Sequence, residues 1–277
     1  MDRLNFLTAG IPISAKPRTF LNGLTRVREM GLDGMELEFG HGIRQNPALM
    51  REIGKRAAEL GLILTAHAPY YINLNSNDPK IIEKSYQAIL ETARSLDVAR
   101  GWSVVFHPGY YLEDRPKFAF PRVQKHIERL LQLAHKEALK VWLRPELMGK
   151  KSQFGTLYEL VELSSNLGGH ILPCIDLSHW HARTGKNNSY DEVERILKLL
   201  DHEIGGDVLK NMHIHFSGIE FGPAGEKRHM IFRKSDTRYR EILKVLFDYD
   251  IAGVLVCESP NVEGDLLMLK LIYDSFA

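Results

Sequence analysis

Eight times along the chain a short apolar or β-branched run gives way to a polar loop and then to an amphipathic stretch of helical length. The candidate strands are residues 4–7, 34–39, 62–66, 103–107, 140–146, 171–176, 211–216 and 253–258. The helical stretches between them are residues 16–30, 47–60, 79–96, 120–138, 156–167, 190–200, 238–249 and 264–276. Ile242, Leu243, Val245 and Leu246 form one apolar stripe, as do Leu130, Leu131 and Ala134, and Pro47 and Pro79 sit where a first helical turn tolerates proline. A strand followed by a helix must return to a parallel neighbour, so this rhythm predicts an α/β fold. Eight units in 277 residues match a (β/α)8 TIM barrel. The rival, a doubly wound open sheet, usually has a glycine-rich first turn, and residues 4–11 hold only Gly10. With no low-complexity segment or linker, residues 1–277 read as a single TIM-barrel domain.

Composition narrows the partners. Lys+Arg 36 against Asp+Glu 35 leaves a net charge of +1, which excludes a uniformly basic coat but not a local basic patch. No apolar run reaches the ~18 residues of a membrane span, and the first residues lack a signal-peptide core. Two cysteines, Cys174 and Cys257, make a disulfide scaffold implausible and suit a cytoplasmic protein. The unusual count is twelve histidines.

Their positions carry the argument. His67 follows the third strand and His107 ends the fourth. Glu146 ends the fifth, and Asp176 ends the sixth, with His179 three residues on. His213 lies on the seventh, His229 follows in its loop, and Glu258 ends the eighth. In a barrel these positions converge on the C-terminal mouth, where active sites are built. A lone strand-end histidine is commonly a hydrogen-bonded structural residue, but six successive strands delivering compatible groups point to a site. Imidazole with carboxylate, and no thiolate, suits Zn2+, or Mn2+ or Fe2+ in a related geometry. Eight ligands exceed the three or four of one catalytic zinc, so the count predicts a multinuclear centre with a bridging carboxylate, an arrangement suited to phosphodiester hydrolysis. His126, His135, His170 and His202 fall on helices or their flanks and read as surface residues.

Several segments in order resemble the endonuclease IV (deoxyribonuclease IV) family of abasic-site endonucleases, within the xylose-isomerase-like barrels. They are His67-Ala68-Pro69-Tyr70-Tyr71-Ile72-Asn73-Leu74, then Phe106-His107-Pro108-Gly109, then Pro145-Glu146 with residues 149–155. Asp176 with His179, Met212-His213 and Cys257-Glu258-Ser259-Pro260 follow. The resemblance runs from about residue 60 to residue 277. It implies two or three zinc ions per chain and cleavage of double-stranded DNA 5′ to an abasic sugar by a monomer. Carried over by position, His67, His107 and Glu146 would hold one zinc. Glu146 would bridge to a second held by Asp176, His213 and Glu258, and His179 with His229 would hold a third. Glu146 and Glu258 would be the catalytic carboxylates, with Glu258 orienting the nucleophile.

One departure stands out. Where the family has an aspartate two residues before its last histidine, this chain has Lys227, whose ammonium cannot ligate. The third ion would then lose a ligand or borrow one from Glu226, His181 or Glu38, while His215, on the same face as His213, would stand behind the ligands. For DNA contact the resemblance supplies Tyr70 and Tyr71 as intercalating rings, and the mouth loops carry Arg44, Lys150, Lys151, Arg183, Lys227 and Arg228. Inside the barrel, Glu36 and Arg144 are expected to pair. The alternatives are a single-metal sugar isomerase or epimerase on the same barrel, or a non-catalytic DNA-binding descendant.

Overall fold

In a computed structural model that describes residues 1–39 and 46–277, eight parallel strands make a nearly closed (β/α)8 TIM barrel. The barrel strands are β1 (Leu4–Ala9), β2 (Gly34–Glu38), β3 (Ile63–His67), β4 (Ser103–Phe106), β5 (Trp142–Pro145), β6 (Cys174–Asp176) and β7 (Met212–Phe216). A two-stranded hairpin, β8 (Gly218–Gly222) and β9 (Gly225–Met230), precedes the eighth barrel strand, β10 (Gly253–Cys257). Hydrogen-bonded order runs β5-β4-β3-β2-β1-β10-β7-β6, and the seam between β5 and β6 is bridged at Leu143 with Ile171 and at Glu146 with Cys174.

Helix starts follow local chemistry. Asn46 and Asp78 cap helices α2 (Pro47–Leu60) and α3 (Pro79–Val98), each with proline in the first turn. Capping boxes start α5 (Leu157–Leu167), from Thr156 and Glu159, and α7 (Tyr190–Glu203), from Ser189 and Glu192. The first helix, α1, spans Phe20–Glu29 rather than residues 16–30, because Thr19 caps it by accepting from the Asn22 amide. Helix α4 (Pro116–Lys136) begins four residues before the predicted start. Helices α8 (Tyr239–Asp248) and α9 (Glu263–Asp274) lie within a residue or two of expectation. Besides two single-turn 3-10 segments, Val208–Lys210 and Phe232–Lys234, the short helix α6 (Leu177–Thr184) and the β8–β9 hairpin have no counterpart in the sequence reading.

The main apolar core lies between barrel and helices, with Leu37, Ala66, Val104, Ile175, Ile214 and Leu255 facing outward from their strands. Inside, the apolar cluster is small, Leu7, Val254 and Val256. The rest of the interior is polar, with Glu36, Thr65, Ser103, Arg144, His213 and His215 all buried. The expected Glu36–Arg144 pair does not form. Arg144 donates to Asn211 at 2.6 Å and lies over the Trp102 and Trp142 rings, while Glu36 accepts from Thr65 at 2.8 Å. Cys174 and Cys257 are both buried and unbridged. Among the described residues no helix is long and apolar enough to cross a membrane.

Candidate metal centre

The C-terminal ends of the strands open into a cavity of about 880 Å3, lined in part by Glu38, His67, Tyr70, His107, Glu146, His179, Glu226, His229 and Glu258. Besides a buried set of Cys174, His213 and His215, three groups there bring ligand atoms within 4.8 Å of one another: His67, His107 and Glu146; Glu146, Asp176, His215 and Glu258; and Asp176, His179 and His229. The groups are chained, since Glu146 belongs to the first two and Asp176 to the last two. Chaining through carboxylates is what a cluster of bridged ions requires, because a carboxylate has two oxygens to share.

Local structure sets each ring. His67 Nδ1 donates to the Ala68 carbonyl at 2.7 Å, His179 Nδ1 to the Leu147 carbonyl at 3.0 Å, and His229 Nδ1 to the Glu258 carbonyl at 3.2 Å. A carbonyl only accepts, so these contacts assign the proton to Nδ1 and turn each Nε2 inward, the arrangement of metal-binding histidines. His67 and His107 Nε2 lie 3.1 and 3.0 Å from Glu146 Oε2. Asp176 caps α6, its Oδ1 accepting from the His179 amide at 2.7 Å, while its Oδ2 lies 3.1 Å from His179 Nδ1.

The residues fit divalent ions on their own geometry. Asp176 Oδ2, His215 Nδ1 and Glu258 Oε2 are buried yet lack an aligned hydrogen-bond partner, although His215 Nδ1 comes within 3.4 Å of Glu258 Oε2 and 3.5 Å of Glu146 Oε1. Close approach without alignment is expected of atoms aimed at a common point rather than at each other. Charge tells the same story. Burial opposes ionisation of Glu146, but His107, His179 and His215 hold it well below the usual carboxylate range. Burial opposes the charged form of His67 too, and the Glu146 carboxylate outweighs it, raising His67 to about 10. Asp176 and Glu38 are pushed up by burial to about 7 and about 8.

Two assignments from sequence need correction. His213 does not reach the second group: it lies deeper in the barrel, stacked on Trp102, with Nδ1 2.8 Å from Ser103 Oγ and Nε2 3.2 Å from Glu36. Burial pushes it down to about 4. His215, expected behind the ligands, occupies the place instead, with Glu36 Oε1 3.0 Å from its Nε2. The two residues share a face on β7 at a two-residue spacing, so periodicity could not separate them; only register, which sets His215 beside Asp176, does.

The second correction concerns the third group. His229 lies on a strand, not in a loop, and β9 carries a β-bulge: Glu220 pairs with Arg228 and Phe221 with Glu226, leaving Lys227 as the extra residue. The bulge lets Glu226 and His229, three residues apart, face the cavity together, with Glu226 Oε2 3.4 Å from His179 Nε2. Lys227 turns outward and approaches Glu220 at 3.5 Å, where Arg228 also pairs at 2.8 Å. Two close contacts hold the hairpin here. A Cβ at Gly225, whose φ is +98°, would meet the Gly149 carbonyl at 2.2 Å, and one at Gly149 would meet Glu226 at 2.7 Å. Of the other candidates, His181 points away, between the Lys186 carbonyl and Asp236, while Glu38 lines the cavity outside all three groups.

At the mouth, Tyr70 and Tyr71 are exposed, at 48% and 44%, Tyr70 leaning on His67 and His107 and Tyr71 lying under Lys84. Lys150 and Lys151 are exposed on the β5–α5 loop. Arg183 is not a free cation, since its guanidinium donates to the carbonyls of Met148, Lys150 and Gln153 and so braces that loop. Arg44 lies outside the described residues.

Comparison with known proteins agrees with this architecture. The chain is 40% identical over 274 residues to the uncharacterized protein MJ0133 of Methanocaldococcus jannaschii, covering 98% of this chain and 97% of that protein. It is 27% identical over 228 residues to a probable endonuclease 4 of Petrotoga mobilis, covering 75% and 74% of the two chains. Among solved folds it superposes on a D-tagatose 3-epimerase-like protein with a TM-score of 0.76 at 16% identity, over 97% of this chain and 96% of that one. Endonuclease IV from Thermus thermophilus superposes with a TM-score of 0.73 at 18% identity, over 98% of both chains. The sequence model of one family matches residues 24–271, and the chain belongs to that family, the xylose isomerase-like TIM barrels.

Proposed function

We propose that this protein is a zinc-dependent endonuclease that cleaves the DNA backbone 5′ to abasic sites, as a monomer acting on duplex DNA. The observation that carries the reading is the chain of three ligand groups joined by Glu146 and Asp176. Single-metal sugar epimerases need one such group; an extended, histidine-rich set suits in-line displacement at phosphorus. Divalent ions held by these groups would supply a hydroxide nucleophile near neutral pH and would neutralise charge on the phosphate.

The chain's own groups do the rest. His67, His107 and Glu146 form one ligand set, Glu146, Asp176, His215 and Glu258 a second, and Asp176, His179, Glu226 and His229 a third. Glu258, with Oε2 buried and unaligned to any partner, orients the attacking water. Lys150 and Lys151 hold backbone phosphates, and the exposed rings of Tyr70 and Tyr71 fill the space left by the missing base.

The test is nicking of a duplex with one abasic site. EDTA should abolish it, zinc should restore it, and the product should carry a 3′-hydroxyl that a polymerase extends. Zinc-loaded protein that binds the duplex without nicking it would leave the non-catalytic alternative standing, and turnover of a ketose with no DNA binding would favour the epimerase.

A further inference from the structure

The histidines of the ligand groups are held in two ways. His67, His179 and His229 each give Nδ1 to a backbone carbonyl and keep Nε2 for the cavity. His215 is reversed. Its Nδ1 faces the second group, 3.5 Å from Glu146 Oε1 and 3.4 Å from Glu258 Oε2, and its Nε2 lies 3.0 Å from Glu36 Oε1. Neither ring nitrogen has an aligned hydrogen-bond partner among the described residues, and the ring is fully buried. Glu36, on β2, is equally buried and its two oxygens are divided. Oε2 accepts from Thr65 Oγ1 at 2.8 Å and lies 3.2 Å from His213 Nε2, while His213 is held in turn by Ser103 and the stacked Trp102 ring. Oε1 has no aligned partner and is left to His215. A buried carboxylate oxygen beside a buried ring nitrogen is favourable only if the nitrogen carries the proton, since two lone pairs would otherwise face each other.

We propose that Glu36 is a positioning residue: its Oε1 accepts from His215 Nε2–H and so fixes the tautomer in which Nδ1 offers its lone pair to the ion of the second group. Glu36 touches neither ion nor substrate and acts only through the ring. A ligand nitrogen must be bare to bind, so with an ion at Nδ1 the ring keeps a single proton, and Glu36 holds that proton on Nε2. A carboxylate also makes the ring a stronger donor than a carbonyl would, which sets His215 apart from the other three histidines. His213 shares the carboxylate, but its second nitrogen meets Ser103 Oγ at 2.8 Å and no ligand group of the cavity. The inference rests on the second ligand group of the proposed centre, and not on which bond that centre cleaves.

The experiment has two readouts on the full chain. Nitrogen-15 NMR of the zinc-loaded wild type should show one ring protonated at Nε2 and zinc-shifted at Nδ1, and the signal should persist in His213→Ala. Zinc titration against a competing chelator should show that Glu36→Ala binds one ion about 10–100-fold more weakly, the scale of a lost partner behind a ligand, with the other ions unchanged. Glu36→Gln, which keeps the shape and a carbonyl acceptor, should recover most of that affinity. A role in packing alone would lower the unfolding midpoint of metal-free Glu36→Ala and leave its zinc affinity as in the wild type, and that result overturns the proposal. Zinc-loaded wild type in which no ring combines a bound Nδ1 with a protonated Nε2 also overturns it, and this readout needs no variant to fold. A wild type that binds no zinc overturns the metal centre and this inference together. Zinc binding with the expected tautomer but no nicking of abasic DNA overturns the endonuclease reading and leaves the role of Glu36 supported.

Discussion

Nε2 of His179 stands 3.2 Å from Nε2 of His229. Both rings donate through Nδ1 to backbone carbonyls, of Leu147 and Glu258. Two neutral imidazoles so arranged would point lone pairs at each other, and only a shared proton or a common cation makes the contact favourable. Asp176 and Glu226 carry the matching negative charge, and with Glu146 they hold His179 well above its ordinary value against the opposing effect of burial. A pair of nitrogens facing each other beside carboxylates has the donor set and the charge of a divalent-ion site.

The inversion of His213 and His215 gives the first prediction. His215→Ala should lower bound zinc by about one ion per chain and abolish DNA cleavage, because a ligand of the bridged second group is lost. His213→Ala should keep the ion count and lower stability by about 1–3 kcal/mol, because Ser103 and Glu36 lose a buried neighbour. Elemental analysis beside thermal unfolding separates the two; zinc loss in His213→Ala with retention in His215→Ala would reverse the assignment.

A second prediction follows from the bulge in β9. Glu226→Ala should weaken binding of the ion at Asp176, His179 and His229 by about 10–100-fold, the usual scale for a lost supporting group at a metal site. Lys227→Asp should leave ion content unchanged, since that side chain points outward beside Glu220. Zinc titration with a competing chelator measures both, and tighter binding in Lys227→Asp would show that residue 227 reaches the ions after all.

The third prediction concerns pH in metal-free protein. His67 is raised from 6.5 to about 10, so its contribution is complete below about pH 6.5 and is lost as pH rises toward 10. Asp176 and Glu38, raised from 3.8 to about 7 and from 4.5 to about 8, contribute fully below about pH 4 and lose that contribution as pH rises through those raised values. Glu146 and Glu36, held well below 4.5, and Glu258, held near 2, contribute above about pH 4.5 and lose it in acid. The unfolding midpoint of EDTA-treated protein should therefore fall from about pH 6 to about pH 9, and zinc should remove most of that fall, because ligands must be deprotonated to bind it. A metal-free midpoint that rises with pH over this range would contradict the charge balance described for the cavity.

The barrel is legible in the sequence because hydrophobic periodicity is a local property: alternating strands and amphipathic helices of the right length leave few parallel arrangements. The hairpin of residues 218–230 escapes such a reading although Gly222-Pro223-Ala224-Gly225 is a turn signal, because the charged run of Glu226, Lys227 and Arg228 does not read as a buried strand. Helix α6 escapes it too, although Asp176 is a capping residue, because two turns are too short to show a stripe. That Arg183 braces a loop rather than facing solvent rests on carbonyls thirty or more residues away in sequence, which no local pattern reports.

By itself, then, the amino-acid order determined that eight parallel strands would close a barrel and that imidazoles and carboxylates would end six of them at one mouth, since strand direction and side-chain alternation are set within each segment. Which member of a same-face pair meets its neighbours was decided by inter-strand register, because His213 and His215 are equivalent to a two-residue period. Which of Glu226 and Lys227 turns inward was decided by a bulge, because one inserted residue reverses every facing beyond it. Both choices depend on hydrogen bonds between separate strands, and so exist only once the chain has folded.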